Sequence, residues 1–286
     1  MKLILGRFLR LPRRLIPLAG LLVGCSEPVP APDPGPDDNS DNTGPAEWQL
    51  VWEDEFDGAA GEIPNPVFWG FDVGTDWGNQ QLEYDTDRPE NAQLDGNGHL
   101  AIIARKEFYQ GQSYTSARIT TIDRFEPTYG RFEARIHLPT GQGIWPAFWL
   151  LGANIGSVGW PVSGEIDVME YRGQEPSIVH GSLHGPGYSA GNAVTSQFVL
   201  AGRFDNEFHT FKVEWAPGSI DWYVDDTLFQ SVQPSEVPGQ WVFDHPFFLI
   251  LNVAVGGGFV GPPDSTTTFP QTMLVDWVRV YQRPIG

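Results

Sequence analysis

Residues 164–173 read G-E-I-D-V-M-E-Y-R-G. Three acids, Glu165, Asp167 and Glu170, interrupt an otherwise apolar run. Read as a strand, the run puts Glu165 and Asp167 on one face, because strand side chains alternate. Glu170 is five positions from Glu165 and in a regular strand points the other way. The three converge only if one extra residue sits between Asp167 and Glu170. That is a β-bulge, a device that re-aims side chains near active sites.

The surrounding chain reads as strand and turn. Tyr129 to Leu138 puts Phe132, Ala134, Ile136 and Leu138 on one face, and Arg131, Glu133, Arg135 and His137 on the other. Phe208 to Trp215 buries Phe211, Val213 and Trp215. Pro246 to Val255 is a near-continuous apolar run, as expected of a strand covered on both faces. Met273 to Tyr281 is rich in β-branched and aromatic residues. Turn chemistry separates the runs at Asp95-Gly96-Asn97-Gly98, Pro139-Thr140-Gly141 and Pro217-Gly218. No long helical periodicity follows residue 47. The pattern predicts an all-β sandwich or jelly roll whose curved sheet can hold a long ligand.

The N-terminal part is of another kind. Lys2, Arg7, Arg10, Arg13 and Arg14 form a basic segment, and Leu15 to Gly24 a short apolar one that is too short to span a bilayer. Leu22-Val23-Gly24-Cys25 resembles a bacterial lipobox, with an ordinary signal peptide as the plainer reading. Residues 1–24 are thus expected to be a lipoprotein signal peptide. Cys25 is expected to be the lipidated residue, and as the single cysteine of the chain it rules out an intrachain disulfide. The resemblance implies a secreted protein held at the outer membrane or cell surface by acyl chains. Residues 25–46 are rich in proline and aspartate and read as an extended tether. Residues 47–286 form the single folded domain.

The chain carries a net charge of −19. The basic and acidic residues before position 47 cancel, so all of it belongs to the folded domain. Such a surface repels nucleic acid and other polyanions and favours a neutral substrate and a monomer. The 11 tryptophans all lie beyond residue 47. Burial in the core is the default for any one of them. Gly143-Ile144-Trp145-Pro146-Ala147-Phe148-Trp149 and the proline-flanked Trp160 lie close upstream of the acids, however. Trp145, Trp149 and Trp160 are candidates to face pyranose rings.

Three acids on a strand can be a solvated face or calcium ligands. Against that, Val168 and Met169 make the neighbourhood apolar, where clustered charge is costly. Two carboxyls flanking one bond, about 5–5.5 Å apart, are what a retaining glycosidase requires. Crowding pushes their pKa values apart, so that one ionises and the other keeps its proton.

Glu165 to Glu170 resembles the signature of glycoside hydrolase family 16. The resemblance extends over residues 47–286. It includes Trp52-Glu53-Asp54-Glu55-Phe56-Asp57-Gly58, Trp77 to Tyr84, Tyr129 to Arg135, the Trp145–Trp149 cluster, His184 to Ser189, Asn252 to Gly257 and Val275 to Tyr281. The family has a regular signature, with one residue between the aspartate and the second glutamate, and a bulged one with two. Val168-Met169 places this chain in the bulged, laminarinase-like branch. The resemblance implies a concanavalin A-like jelly roll with a concave cleft and catalysis without a cofactor. It makes Glu165 the nucleophile, Glu170 the general acid/base and Asp167 the assisting acid.

The same resemblance implies that His184 lies near the acids, with a structural histidine as the alternative. It places Asn79 and Glu83 on a loop lining the cleft. Arg118 is a candidate donor to sugar hydroxyls, or else an ion-pair partner behind the site. A structural calcium is implied at Glu55, Gly98 and Asp276, although Asp276 also reads as an exposed strand residue. The activity expected is endo-β-1,3-glucan hydrolysis. Mixed-linkage glucanase, agarase, carrageenase or galactanase activity, transglycosylation, and plain glucan binding are the alternatives.

Overall fold

A computed structural model describes residues 47–284. The expected signal peptide, Cys25 and the tether lie outside the described residues. In chain order the strands are β1 (Gln49–Asp54), β2 (Gly70–Phe71), β3 (Glu83–Asp85), β4 (Ala92–Leu94), β5 (Leu100–Ala104), β6 (Tyr114–Ser116), β7 (Arg118–Thr120), β8 (Gly130–His137), β9 (Ile144–Gly152), β10 (Glu165–Tyr171), β11 (Ile178–His184), β12 (Val194–Val199), β13 (His209–Ala216), β14 (Ser219–Val224), β15 (Thr227–Val232), β16 (Phe247–Val255) and β17 (Gln271–Gln282). Among the described residues the only α-helix is a single turn, Ile155–Val158.

All strands but β3 and β6, which pair in parallel as a small sheet of their own, form two antiparallel sheets. One has seven strands in the order β12-β11-β10-β9-β16-β7-β2. The other runs β15-β14-β13-β8-β17-β5-β4, with β1 also pairing with β17. Neighbours in the sheets are often far apart in sequence, which is the jelly-roll pattern. Phe148, Ile166 and Leu249 of the first sheet and Phe132, Val213 and Trp222 of the second share one buried cluster. Each such side chain contributes about 1.5–3 kcal/mol by leaving water.

Alternation predicts the buried faces well. Phe132, Ala134, Ile136 and Leu138 are buried, as are Phe211, Val213 and Trp215. In β17 the pattern slips: Met273 and Val275 point inward, then Val278 and Val280. The register against β8 shifts between Val275 and Trp277, so Asp276 is the extra residue of a bulge.

β16 is covered on both faces, as its composition requires. Phe247, Leu249, Leu251, Val253 and Val255 join the main core. Phe248 and Ile250 pack with Leu151, and Ala254 with Trp145 and Val260, in two smaller clusters on the other side. Those clusters flank the polar patch at the middle of the seven-stranded sheet, where the three acids stand.

Candidate active site

The bulge in β10 is present. Against β9, Asp167 faces Trp149 and Met169 faces Phe148, so two steps of β10 match one of its neighbour. Against β11, Asp167 faces Ser182 and Glu170 faces His180, three steps against two. Ile166, Val168, Met169 and Tyr171 all pack into the core. Glu165, Asp167 and Glu170 are thereby turned together onto the opposite face.

Glu165 and Glu170 each meet an indole donor, and His184 stands beside Asp167. Trp160 donates Nε1–H to Glu165 Oε2 at 3.0 Å. Trp145 donates Nε1–H to Glu170 Oε1 at 3.1 Å. His184 Nε2 lies 3.0 Å from Asp167 Oδ2 and 3.5 Å from Glu165 Oε1. The Ala190 amide donates to His184 Nδ1 at 3.1 Å, so in the neutral ring the proton sits on Nε2, facing the acids. Glu165, Asp167 and His184 have the spacing of a metal-ligand set. A metal needs a bare ring nitrogen, however, and Nε2 carries the proton here, so the donor set suits hydrogen bonding to carboxylates.

The turn that delivers Ala190 depends on a glycine. A Cβ at Gly185 would stand 2.5 Å from the Tyr188 ring. Without one, Tyr188 folds under the turn and donates its hydroxyl to the Gln240 carbonyl at 2.8 Å.

All three acids have raised pKa values of about 8. Burial is the main cause for each. The charge of Asp167 adds to the rise at Glu165 and Glu170, and the hydrogen bond between Asp167 and Glu165 opposes it at Asp167. The cluster therefore cannot carry three charges at neutral pH. Behind the site Asp85 is pushed up to about 7, mainly by burial, and Glu83 is raised well above the ordinary range by burial and by the charge of Asp85.

These raised values set a sign for stability. Between the ordinary carboxyl range, about pH 4, and about pH 8, the folded chain holds more protons than the unfolded one, so stability falls as pH rises. The five groups titrate in part together. A tenfold change in a proton-binding constant is worth about 1.4 kcal/mol, so a loss of roughly a few kcal/mol is expected from pH 5 to pH 8. Urea unfolding at the two pH values measures it; equal midpoints would contradict a buried, proton-holding cluster.

Other expected residues fall into place differently. Trp149 donates to Asn252 Oδ1 at 2.8 Å. The Arg118 guanidinium lies over both Trp149 and Trp77, 4.8 and 4.9 Å from the ring centroids. It also makes an ion pair with Asp72 at 2.8 Å. Arg118 is thus both stacked and paired. Asn79 is exposed, and its carbonyl accepts from the Gly258 amide near Trp145.

Glu83 requires a correction. It does not line the site, because it is only 1 % exposed. Its Oε2 accepts the Val255 amide at 2.8 Å, fastening the end of β16 to the start of β3.

The calcium set is also differently engaged. Glu55 makes a two-point ion pair with Arg279, at 2.7 and 2.9 Å. Asp276 Oδ2 is bonded by Arg135, and its Oδ1 lies 3.9 Å from His99 Nε2. Gly98 occupies the Asp95–His99 turn. Calcium takes about 6–8 oxygen ligands. Here both carboxylates are already neutralised by arginine, so the arrangement does not fit the ion, and no step below depends on it.

Several residues received no site role from the sequence reading. Asn252 has a visible signal: it is the one polar side chain in the apolar run of β16, and a buried polar group must find a partner. Trp77 holds Arg118 and donates to Asp85 Oδ2 at 2.8 Å. His180 stands directly opposite Glu170 and is kept neutral by burial, its pKa lowered to about 4. Nothing in their spacing marks Trp77 or His180.

A sandwich that displays a bulged carboxyl trio between indole N–H groups is a glycoside hydrolase. The chain belongs to the glycosyl hydrolases family 16, whose family model matches residues 72–279. It is 42% identical to a beta-glucanase from Rhodothermus marinus over 94% of both chains. The catalytic domain of an endo-1,3-beta-glucanase (laminarinase) from Thermotoga petrophila RKU-1 is 47% identical, with a TM-score of 0.79. That match covers 84% of this chain and 100% of the other. An endo-beta-1,3-glucanase from Pyrococcus furiosus is 44% identical with a TM-score of 0.80, covering 84% of this chain and 97% of the other.

Proposed function

We propose that the protein is a retaining endo-β-1,3-glucanase of the laminarinase type. The observation that carries this reading is the β10 bulge, which gathers Glu165, Asp167 and Glu170 on one face between two indole N–H groups. The similarity to laminarinases over most of the chain supports the choice of substrate, and the −19 net charge favours a neutral glucan over a sulfated one.

The donors divide the roles. Trp160 and His184 both face Glu165, so negative charge is best tolerated at that end. Glu165 attacks the anomeric carbon. Glu170, held by one indole, keeps its proton and passes it to the departing glycosidic oxygen. Glu165 is then esterified to the sugar. Glu170, now ionised, takes a proton from water as the water attacks the same carbon, and Glu165 leaves as a carboxylate. The carboxyls of Asp167 and Glu165 lie within 4.8 Å of each other, which places Asp167 to share a proton with Glu165 and steady it through both steps. Two displacements leave the β-configuration unchanged.

A proton NMR time course on laminarin tests reaction and stereochemistry together. New β-anomer reducing ends are expected before mutarotation sets in. An α-anomer first would reverse the assignment of Glu165 and Glu170, and no turnover on any β-glucan would favour plain binding.

Anchoring through Cys25 is part of the same proposal. Its support is the basic and apolar segment that precedes it. Cys25→Ala is expected to move the protein from the membrane fraction to the soluble one. An unchanged distribution would remove the anchor.

A further inference from the structure

The bulge in β10 needs support from outside its own sheet. A bulge disrupts the local ladder, and a buried carbonyl there must find a donor elsewhere. Asp167 is the residue at which the register slips on both sides. Its main-chain carbonyl accepts the Nε1–H of Trp222 at 2.8 Å. Trp222 lies on β14, in the other sheet, and is fully buried. One hydrogen bond thus crosses the core to the point where the acid-bearing strand departs from regular geometry.

A second feature makes room for it. Gly181 lies on β11 between His180, opposite Glu170, and Ser182, opposite Asp167. It therefore faces the two extra positions of the bulge. A Cβ at Gly181 would stand 2.6 Å from Trp222 Cδ1, 3.0 Å from Nε1 and 3.1 Å from Phe229 Cζ. The glycine is there for space, and the space is filled by the indole that reaches Asp167.

We propose that Trp222 is a positioning residue for catalysis: its N–H pins the Asp167 carbonyl, and so holds the bulge that keeps Glu170 on the same face as Glu165. Glu170 follows the bulge and Glu165 precedes it, so loosening the pin displaces the proton donor relative to the nucleophile. The inference rests on the glucanase reading above. A merely structural tryptophan is present for comparison. Trp215 is equally buried but donates its Nε1–H to the Phe243 carbonyl at 3.1 Å, outside β10.

The test replaces Trp222 with benzothienylalanine, which keeps the shape and substitutes sulfur for the N–H. On laminarin, kcat is expected to fall about 100-fold with KM unchanged, the scale of a misplaced general acid. On a laminari-oligosaccharide carrying a dinitrophenyl leaving group, which departs without a proton, the first turnover is expected to be nearly unaffected. The same swap at Trp215 is expected to leave both substrates alone. Gly181→Ala, which pushes the indole aside, is expected to copy the Trp222 pattern. Full laminarin activity after the Trp222 swap, or an equal loss on both substrates, overturns the pin. An inactive wild type overturns the glucanase reading, and the pin's catalytic role with it.

Discussion

Glu165→Gln is expected to lower kcat on laminarin by roughly four to six orders of magnitude, the scale seen when a covalent nucleophile is removed. Binding of laminari-oligosaccharides is expected to survive. The amide keeps the size of the carboxyl, and its oxygen still accepts from Trp160. It cannot form or release the glycosyl ester. The variant is also expected to be more stable than the wild type at pH 8, because a buried group that holds its proton up to about pH 8 is replaced by a neutral one. Normal turnover in this variant would remove Glu165 from the mechanism. Lost binding would show that the substitution disturbs more than the reacting atom.

The second large effect concerns parity. Inserting one alanine between Glu165 and Ile166 puts two residues between Glu165 and Asp167, while the bulge still aligns Asp167 with Glu170. The strand then turns Glu165 into the place of Gly164, where a side chain meets Phe247, Val242 and Phe243 of the core. Activity is expected to vanish, and burying the carboxyl without a partner is expected to cost about 3 kcal/mol or more. Deleting Met169 is the informative opposite. It leaves one residue between Asp167 and Glu170, and a regular strand then shows Glu165, Asp167 and Glu170 on one face. The deleted side chain was fully buried, so a loss of about 2–5 kcal/mol is expected. Measurable activity is expected to remain. An active insertion variant beside an inactive deletion variant would contradict this dependence on parity.

Parity is legible in the spacing of the acids alone, and so is much of the fold. Positions within one strand reveal which side chains share a face. They predict the bulge, the inward faces of β8 and β13 and the doubly covered β16. They do not reveal which strands become neighbours. Trp222 is 55 residues from the carbonyl it holds. Glu83 is 172 residues from the Val255 amide. A carboxyl is by default a surface group, so the sequence suggests Glu83 for the site when it is a buried fastener behind it. Trp145 defeats the choice between core and site for another reason. It is only 8 % exposed, yet its one polar atom is spent on Glu170. The acids read as calcium ligands are misplaced because Arg279 and Arg135 arrive from strands whose pairing the sequence does not announce.

The layer of Trp77, Arg118 and Trp149 has a thermodynamic consequence. The guanidinium lies over both indoles, and Asp72, Asp85 and Asn252 fix the rotation of the three groups. Were a glucan to settle on this layer, it would find little side-chain entropy to remove, and association would be fast and accompanied by little change of shape. Affinity for chains of different length would then be set by how many rings reach the layer, each adding a similar increment, rather than by any closing movement around the ligand.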